Sequence, residues 1–307
     1  MHKTAVLAAM RAEVWAIQPG YLEAMFGALA NAGEQIAAGT YTGTGGRLFV
    51  TTGAPFLPQF VAVVPREPKP APSSVGVVPV HGLISRRETL WTALFGGATT
   101  EAITAQVRQH LDNPAVKTIV LDVDSPGGTV NGVQELGEEL RAARRVKPVV
   151  AVANDLMASA AYWLGAQASD LVVTPGAQVG SVGVFALHGD LSGALQQAGI
   201  KPTFIQFGEN KTLGNSFEPL SDAARAEIQK HVDEHGHAFV KAVAEGRRTT
   251  QGNVMDTFGQ GLMYGAAEAV RRGMADRVAT WDEVLAGLGV DTRRAALRRD
   301  VARAALV

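Results

Sequence analysis

Ser159 stands in NDLMASAAYW, residues 154–163, the one serine there, set among alanines after an apolar run. A serine hydroxyl is a weak nucleophile until a neighbouring base removes its proton; the ordinary role of a serine near a helix start is a cap. FGENKTLGNSFEPLS, residues 207–221, is a polar, glycine-broken loop carrying Lys211. A loop lysine is ordinarily a solvated charge, and it becomes a base only where burial or positive neighbours favour the neutral amine. The third stretch is DVDSPGGTVNG, residues 122–132, which follows a buried strand and leads into a helix. Gly127 and Gly128 leave backbone N–H groups open to close approach, which suits an anion or a developing oxyanion. A tight strand-to-helix turn explains the same residues.

What is missing narrows the chemistry. The seven histidines are His2, His81, His110, His188, His231, His235 and His237, and none lies in a catalytic motif. There is no G-x-S-x-G turn, and the i,i+4 pair His231 and His235 lacks the glutamate of an H-E-x-x-H metal frame. A Ser-His-Asp arrangement is therefore disfavoured, and a Ser-Lys pair is what the remaining parts permit. Cysteine is absent, which excludes disulfides, thiolate metal sites and a cysteine nucleophile. Gly43, Gly45 and Gly46 are not followed by the Lys-Ser/Thr pair of a phosphate loop. No cofactor and no metal are expected.

These groups need a scaffold, and the pattern along the chain supplies one. VGVVPV, KTIVLDV, PVVAVAN, DLVVTP, VGVFAL and KPTFIQFG read as strands. TEAITAQVRQHL, VQELGEELRAARR, the segment containing Ser159 and LSGALQQAG read as helices, with a long helix from about Asp222 to Gly246 and a shorter one over Ala266 to Arg272. Such alternation predicts an α/β fold with a largely parallel sheet and crossover helices. Residues 1–63 read as a small N-terminal unit with a helical PGYLEAMFGALANAGEQIAA and a hairpin-like GTYTGTGGRLFVTTG. Residues 64–74 hold four prolines and read as a linker. The main domain is placed at 75–280, and 281–307 includes a basic amphipathic helix with five arginines, the ordinary role of which is a solvated or interface face.

Apolar residues make up 47% and charged residues 19%, as in soluble globular enzymes. A net charge of −1 offers nothing to nucleic acid or an anionic membrane surface. No secretory signal and no run near the roughly 18 apolar residues of a spanning helix are present, so a cytoplasmic protein is expected.

Four pieces in register, DSPGG, NDLMASAAYWLGA, VGSVGVFA and GENKTLGNSFEPLS, resemble the signal peptide peptidase A family of serine peptidases over roughly residues 75–278. The closing MYGAAEAVRRGMADRV is similar to that family's C-terminal segment. The resemblance implies a ClpP/crotonase-like fold and a Ser-Lys dyad. It implies Ser159 as nucleophile, Lys211 as general base, Ser181 as the serine that orients the lysine, and Gly127 and Gly128 as the oxyanion turn. Ala160 stands where the family usually has glycine; alanine keeps the N–H that would complete the oxyanion hole but narrows the approach.

The N-terminal block, with WAIQPGYLEAMFGAL before the proline-rich stretch, resembles the phage head protease branch rather than the housekeeping members with their membrane anchor. That branch implies scaffold, portal or capsid proteins as substrates, work in the host cytoplasm or inside an immature head, and a homo-oligomeric ring. Three other readings compete: a soluble bacterial peptidase clearing membrane-derived peptides, an enoyl-CoA hydratase on the same fold, and a non-catalytic head-assembly scaffold.

Overall fold

Thr118–Ser125 (β5 below) reads TIVLDVDS, with Ile119, Val120, Leu121 and Val123 all buried, because a parallel strand covered on both faces has no water-facing side to alternate with. The computed structural model describes residues 14–22, 25, 74–89, 92 and 96–290. Among them the strands are β1 Trp15–Ile17, β2 Val75–His81, β3 Leu83–Ser85, β4 Gly97–Thr99, β5, β6 Gly127–Thr129, β7 Val149–Ala158, β8 Asp170–Val173, β9 Gln178–Gly180, β10 Met263–Gly265 and β11 Arg277–Val278. The helices are α1 Thr100–Asp112, α2 Val133–Ala143, α3 Ala160–Gly165, α4 Ser192–Gln197, α5 Asp222–Arg247, α6 Gln251–Thr257, α7 Ala266–Arg271 and α8 Trp281–Gly287.

The main sheet runs β10-β9-β7-β5-β2, with β8 also on β7 and β11 on β8. All its pairings are parallel except β10 with β9. Strand β7 serves two neighbours in turn: residues 150–153 pair with β8 and residues 156–158 pair with β9. A second sheet, β1-β6-β3-β4, stands beside the start of α2. The expected α/β architecture with a parallel sheet and crossover helices is what the chain forms.

Helices α1, α2, α3 and the end of α5 cover one face of the main sheet. On α1, Thr99 Oγ1 accepts the Ala102 N–H, and Ile103 and Val107, one turn apart, face the sheet. Helix α3 is buried throughout. Its Trp163 stacks on Phe239 of α5 at 4.6 Å, and α5 can come this close because a Cβ at Gly246 would stand 2.2 Å from the Ala166 carbonyl. On α5 burial is concentrated from Phe239 onward; before that only Ala224 is buried, so the first half of the helix extends past the core.

The Gly-x-x-Asp segment 273–276 ties this layer to the sheet. Asp276 accepts the Leu171 N–H and a two-pronged contact from Arg247, whose side chain is nearly buried. Burial alone would raise the Asp276 carboxyl, but the Arg247 hydrogen bond, the Leu171 N–H and the arginine charges together hold it below its ordinary value. A depressed folded value means stability that is present above the unfolded carboxylate pKa and lost as pH falls through the folded one. Asp276→Asn is expected to cost about 1–2 kcal/mol at pH 7, and urea titrations at falling pH should show the gap to wild type closing in the acid range.

Three expectations need correction. The strand PVVAVAN does not end at Asn154: β7 continues through Ala158, because Leu156, Met157 and Ala158 find a pairing edge on β9. The first half of NDLMASAAYW is therefore strand, not helix. VGVFAL is not a strand but a segment with one bridge, at Phe185, and KPTFIQFG is irregular and exposed, with no strand beside it among the described residues. The long helix expected from about Asp222 to Gly246 is present as α5. The hairpin-like stretch at 39–53, residues 64–73 of the linker and residues 291–307 lie outside the described residues.

Candidate active site

Strands β7 and β9 end level with each other, Ala158 paired with Gly180. The next residue on each is a serine: Ser159, wholly buried at φ 54° and ψ −117°, and Ser181, 5% exposed at φ 55°. Positive φ is uncommon in any residue with a Cβ and costs about 1–3 kcal/mol where the surroundings enforce it. The enforcement is visible here. The Ser159 N–H donates to the Gly180 carbonyl at 2.8 Å and the Ser181 N–H to the Leu262 carbonyl at 2.8 Å, while the Ser159 carbonyl accepts the first helical bond of α3 from Trp163. A strand thus turns into a buried helix in one residue, with the Ser159 side chain outside the capping geometry. Its Oγ donates only a long bond, 3.4 Å, to the Gly183 carbonyl.

Beside it lies the Pro126-Gly127-Gly128 turn. Ser125, fully buried, donates its hydroxyl to the Gly82 carbonyl (2.6 Å) and accepts the Gly127 N–H (3.1 Å). The Gly127 N–H is thereby held by Ser125, and Gly128 is paired with Ala16 of β1. Gly127, at φ 95°, contributes room instead: a Cβ there would stand 3.0 Å from both the Ala158 carbonyl and the Ala160 N–H nitrogen. Gly128 is held as tightly, since its Cβ would meet the Ile84 carbonyl oxygen at 1.7 Å. The glycine turn thus lies against Ala158 and Ala160, the residues on either side of Ser159.

Lys211 is elsewhere. It is exposed in the loop before α5, its backbone N–H turned to the Gly208 carbonyl, and no hydrogen bond joins it to Ser159 or Ser181 among the described residues. The segment leading to it carries exposed apolar side chains, Ile205 at 99% and Phe207 at 100% exposed.

Residues 141–292 match the model of peptidase family S49. The chain carries an S49 peptidase domain. It is 32% identical over 206 residues to capsid assembly protease C of Escherichia phage lambda, covering 67% of this chain and 46% of that protein. It is 30% identical over 206 residues to head-tail preconnector protein GP5 of Enterobacteria phage P21, covering 67% and 41%. Protease 4 of Salmonella typhi is 32% identical over 201 residues, covering 62% of this chain and 30% of that protein. The chain thus spans less than half the length of these relatives. A solved point mutant of ClpP1 from Listeria monocytogenes aligns with a TM-score of 0.43 at 13% identity, covering 68% of this chain and 94% of that one, too loose a likeness to argue from.

Ser159, Ser181 and Lys211 all fall inside the S49 match, whereas Gly127 and Gly128 precede it. Two contributors to the surroundings of Ser159 are not evident in the sequence. Ser125 has a local signal, a lone hydroxyl closing an apolar strand just before Pro-Gly-Gly, the setting in which serine ties a turn. Trp15–Ile17 of β1, which lies along β6, has none, because three residues carry no periodicity.

Strain at Ser159 gives a direct expectation. Glycine adopts its φ without penalty, so Ser159→Gly should stabilise the S49 domain by about 1 kcal/mol net of glycine's extra chain entropy. A thermal scan should show the midpoint rising by about 2–4 °C.

Proposed function

We propose that the chain is a serine endopeptidase with Ser159 as nucleophile and Lys211 as general base. The observation that carries this reading is Ser159 itself: a buried hydroxyl in a strained backbone conformation, outside any cap, between an oxyanion turn and a second serine of closely matched φ. Strain of this kind persists where function requires it. Lysine in its neutral form takes the proton from Ser159 Oγ, and Ser181, one strand over, orients the amine. The attacked carbonyl develops negative charge that the Gly128 and Ala160 N–H groups stabilise. The lysine then delivers its proton to the leaving amine, and water hydrolyses the acyl-enzyme.

For Lys211 to reach Ser159 the exposed loop must move or be presented by a second copy of the chain. The exposed apolar side chains Ile205 and Phe207, on the loop that leads into the exposed start of α5, suit burial between copies. The reading is therefore a homo-oligomeric ring whose dyad is completed across the subunit boundary. Substrates are polypeptides, and similarity to two phage proteins, one named a capsid assembly protease, favours scaffold, portal or capsid proteins in a phage head. The working site is then the host cytoplasm or the immature head. No helix among the described residues is long and apolar enough to cross a membrane. Similarity to Protease 4 of Salmonella typhi supports a bacterial peptide-clearing role as the second reading of the same chemistry.

The test is digestion of a mixed peptide library, read by mass spectrometry, alongside labelling with a fluorophosphonate. Wild type should cut, and the probe should appear on the peptide containing Ser159. Cuts that persist at the wild-type rate in Ser159→Ala would end the assignment.

A further inference from the structure

The Leu262 carbonyl is tied to both serines of the site. It accepts the Ser181 N–H at 2.8 Å, and a Cβ at Gly180 would stand 2.5 Å from its oxygen. Gly180 in turn gives its own carbonyl to the Ser159 N–H at 2.8 Å. Ser181 is held at φ 55°, a value that a serine keeps only where its neighbours enforce it. Whatever fixes the Leu262 carbonyl therefore fixes the backbone from which the Ser181 hydroxyl projects.

Residues 259–262 form the turn that presents this carbonyl. The Leu262 N–H closes back on the Gly259 carbonyl at 3.0 Å, with φ 44° at Gln260 and 102° at Gly261, both central residues left-handed as in a type I′ turn. Gln260, Gly261 and Leu262 are all exposed, so burial does not hold the turn in place. Side chains hold it instead. Gln260 Nε2 donates to the Met255 carbonyl at 3.1 Å. The Tyr264 ring lies so close to Gly259 that a Cβ there would meet its hydroxyl oxygen at 2.4 Å and its Cε2 at 2.7 Å. Over that ring stands the Arg272 guanidinium, 4.1 Å from the centroid. Arg272 is itself fixed, Nη1 donating to the Thr257 carbonyl at 2.6 Å and Nε to Glu268 at 2.6 Å. Thr257 ends α6 and Arg272 follows α7, so one side chain ties together the two helices that flank the turn and β10.

We infer that Arg272, through Tyr264, is a positioning residue for Ser181: the pair clamps the 259–262 turn so that the Leu262 carbonyl keeps the Ser181 hydroxyl turned to the general base. This rests on the reading of Ser181 as the serine that orients Lys211. The effect of Arg272 on the reaction runs through the backbone of Ser181.

The experiment measures the rate at which a fluorophosphonate labels Ser159 in the full-length chain, a reaction that reports activation of the nucleophile and needs no known substrate. Wild type, Ser181→Ala, Arg272→Ala and the double variant are compared. Each single variant should label about 10- to 100-fold more slowly than wild type, and the double variant no more slowly than Ser181→Ala. Once the hydroxyl is gone Arg272 has nothing left to position, whereas a general loosening of the fold would slow both backgrounds by the same factor. Tyr264→Leu, carried through the same cycle, takes the place of an Arg272→Ala chain that does not fold. A slow Ser181→Ala with Arg272→Ala at the wild-type rate, or with the two factors multiplying in the double variant, overturns the inference and leaves the reading of Ser181 standing. Labelling of Ser181→Ala at the wild-type rate removes that reading and the inference with it. A wild-type chain that does not label removes the nucleophile assignment, and both fall together.

Discussion

Ser159→Ala should lower kcat/KM on any peptide substrate by at least about 10⁴-fold, with binding retained. The proposed nucleophile forms the covalent bond of the first step; the chain has no cysteine, and the nearby Ser125 hydroxyl is committed to the Gly82 carbonyl at 2.6 Å. Any remaining activity comes from N–H groups acting on a water-attacked carbonyl. Alanine keeps the Cβ and so keeps the φ penalty, which separates this variant from Ser159→Gly. Thermal midpoints should rank glycine above both serine and alanine. Steady-state kinetics and a thermal scan on the same samples check both halves.

The second large effect is at Lys211. Lys211→Ala should cost about as much as losing the serine, since groups that act as one unit fail together. Lys211→Arg should not restore activity, because a guanidinium remains protonated. The informative step is mixing. Ser159→Ala and Lys211→Ala chains, each inactive, are unfolded together and reassembled in equal amounts. If the dyad spans a head-to-tail interface, about a quarter of the sites receive an intact serine with an intact lysine opposite. If each chain builds its own dyad, none does. Recovery of activity to that fraction supports the shared site; a silent mixture returns Lys211 to its own chain and requires the 201–215 loop to fold back over Ser159.

The difference between what the residues announced and what the fold contains is local in origin. The apolar runs of β5 and the first half of β7 are unambiguous because both faces are buried. Helix α5 was legible because no proline interrupts residues 222–247 and Ser221 caps it. Asn154–Ala158 misled because leucine, methionine and alanine prefer helix, and the edges of β9, contributed from beyond α3, and of β5 at Ser125 make them strand. KPTFIQFG misled in the other direction: its alternation suits a strand, but no partner edge stands beside it among the described residues. At the site, the residue types alone left a cap, a turn and a solvated lysine open, and the family resemblance implied the roles of Ser159, Ser181, Lys211 and the two glycines. Their backbone was not legible: the matched φ values of the two serines follow from two strands ending level, a register no single segment encodes.

That matched pair bears on how the protein would respond to selection. Glycine at 159 or 181 relaxes the backbone at one stroke, and at 159 it also removes the hydroxyl on which the proposed chemistry depends. A laboratory screen that rewards only heat tolerance or yield would therefore drift towards sturdy, inert chains. Natural lineages that lost their substrate would be expected to do the same.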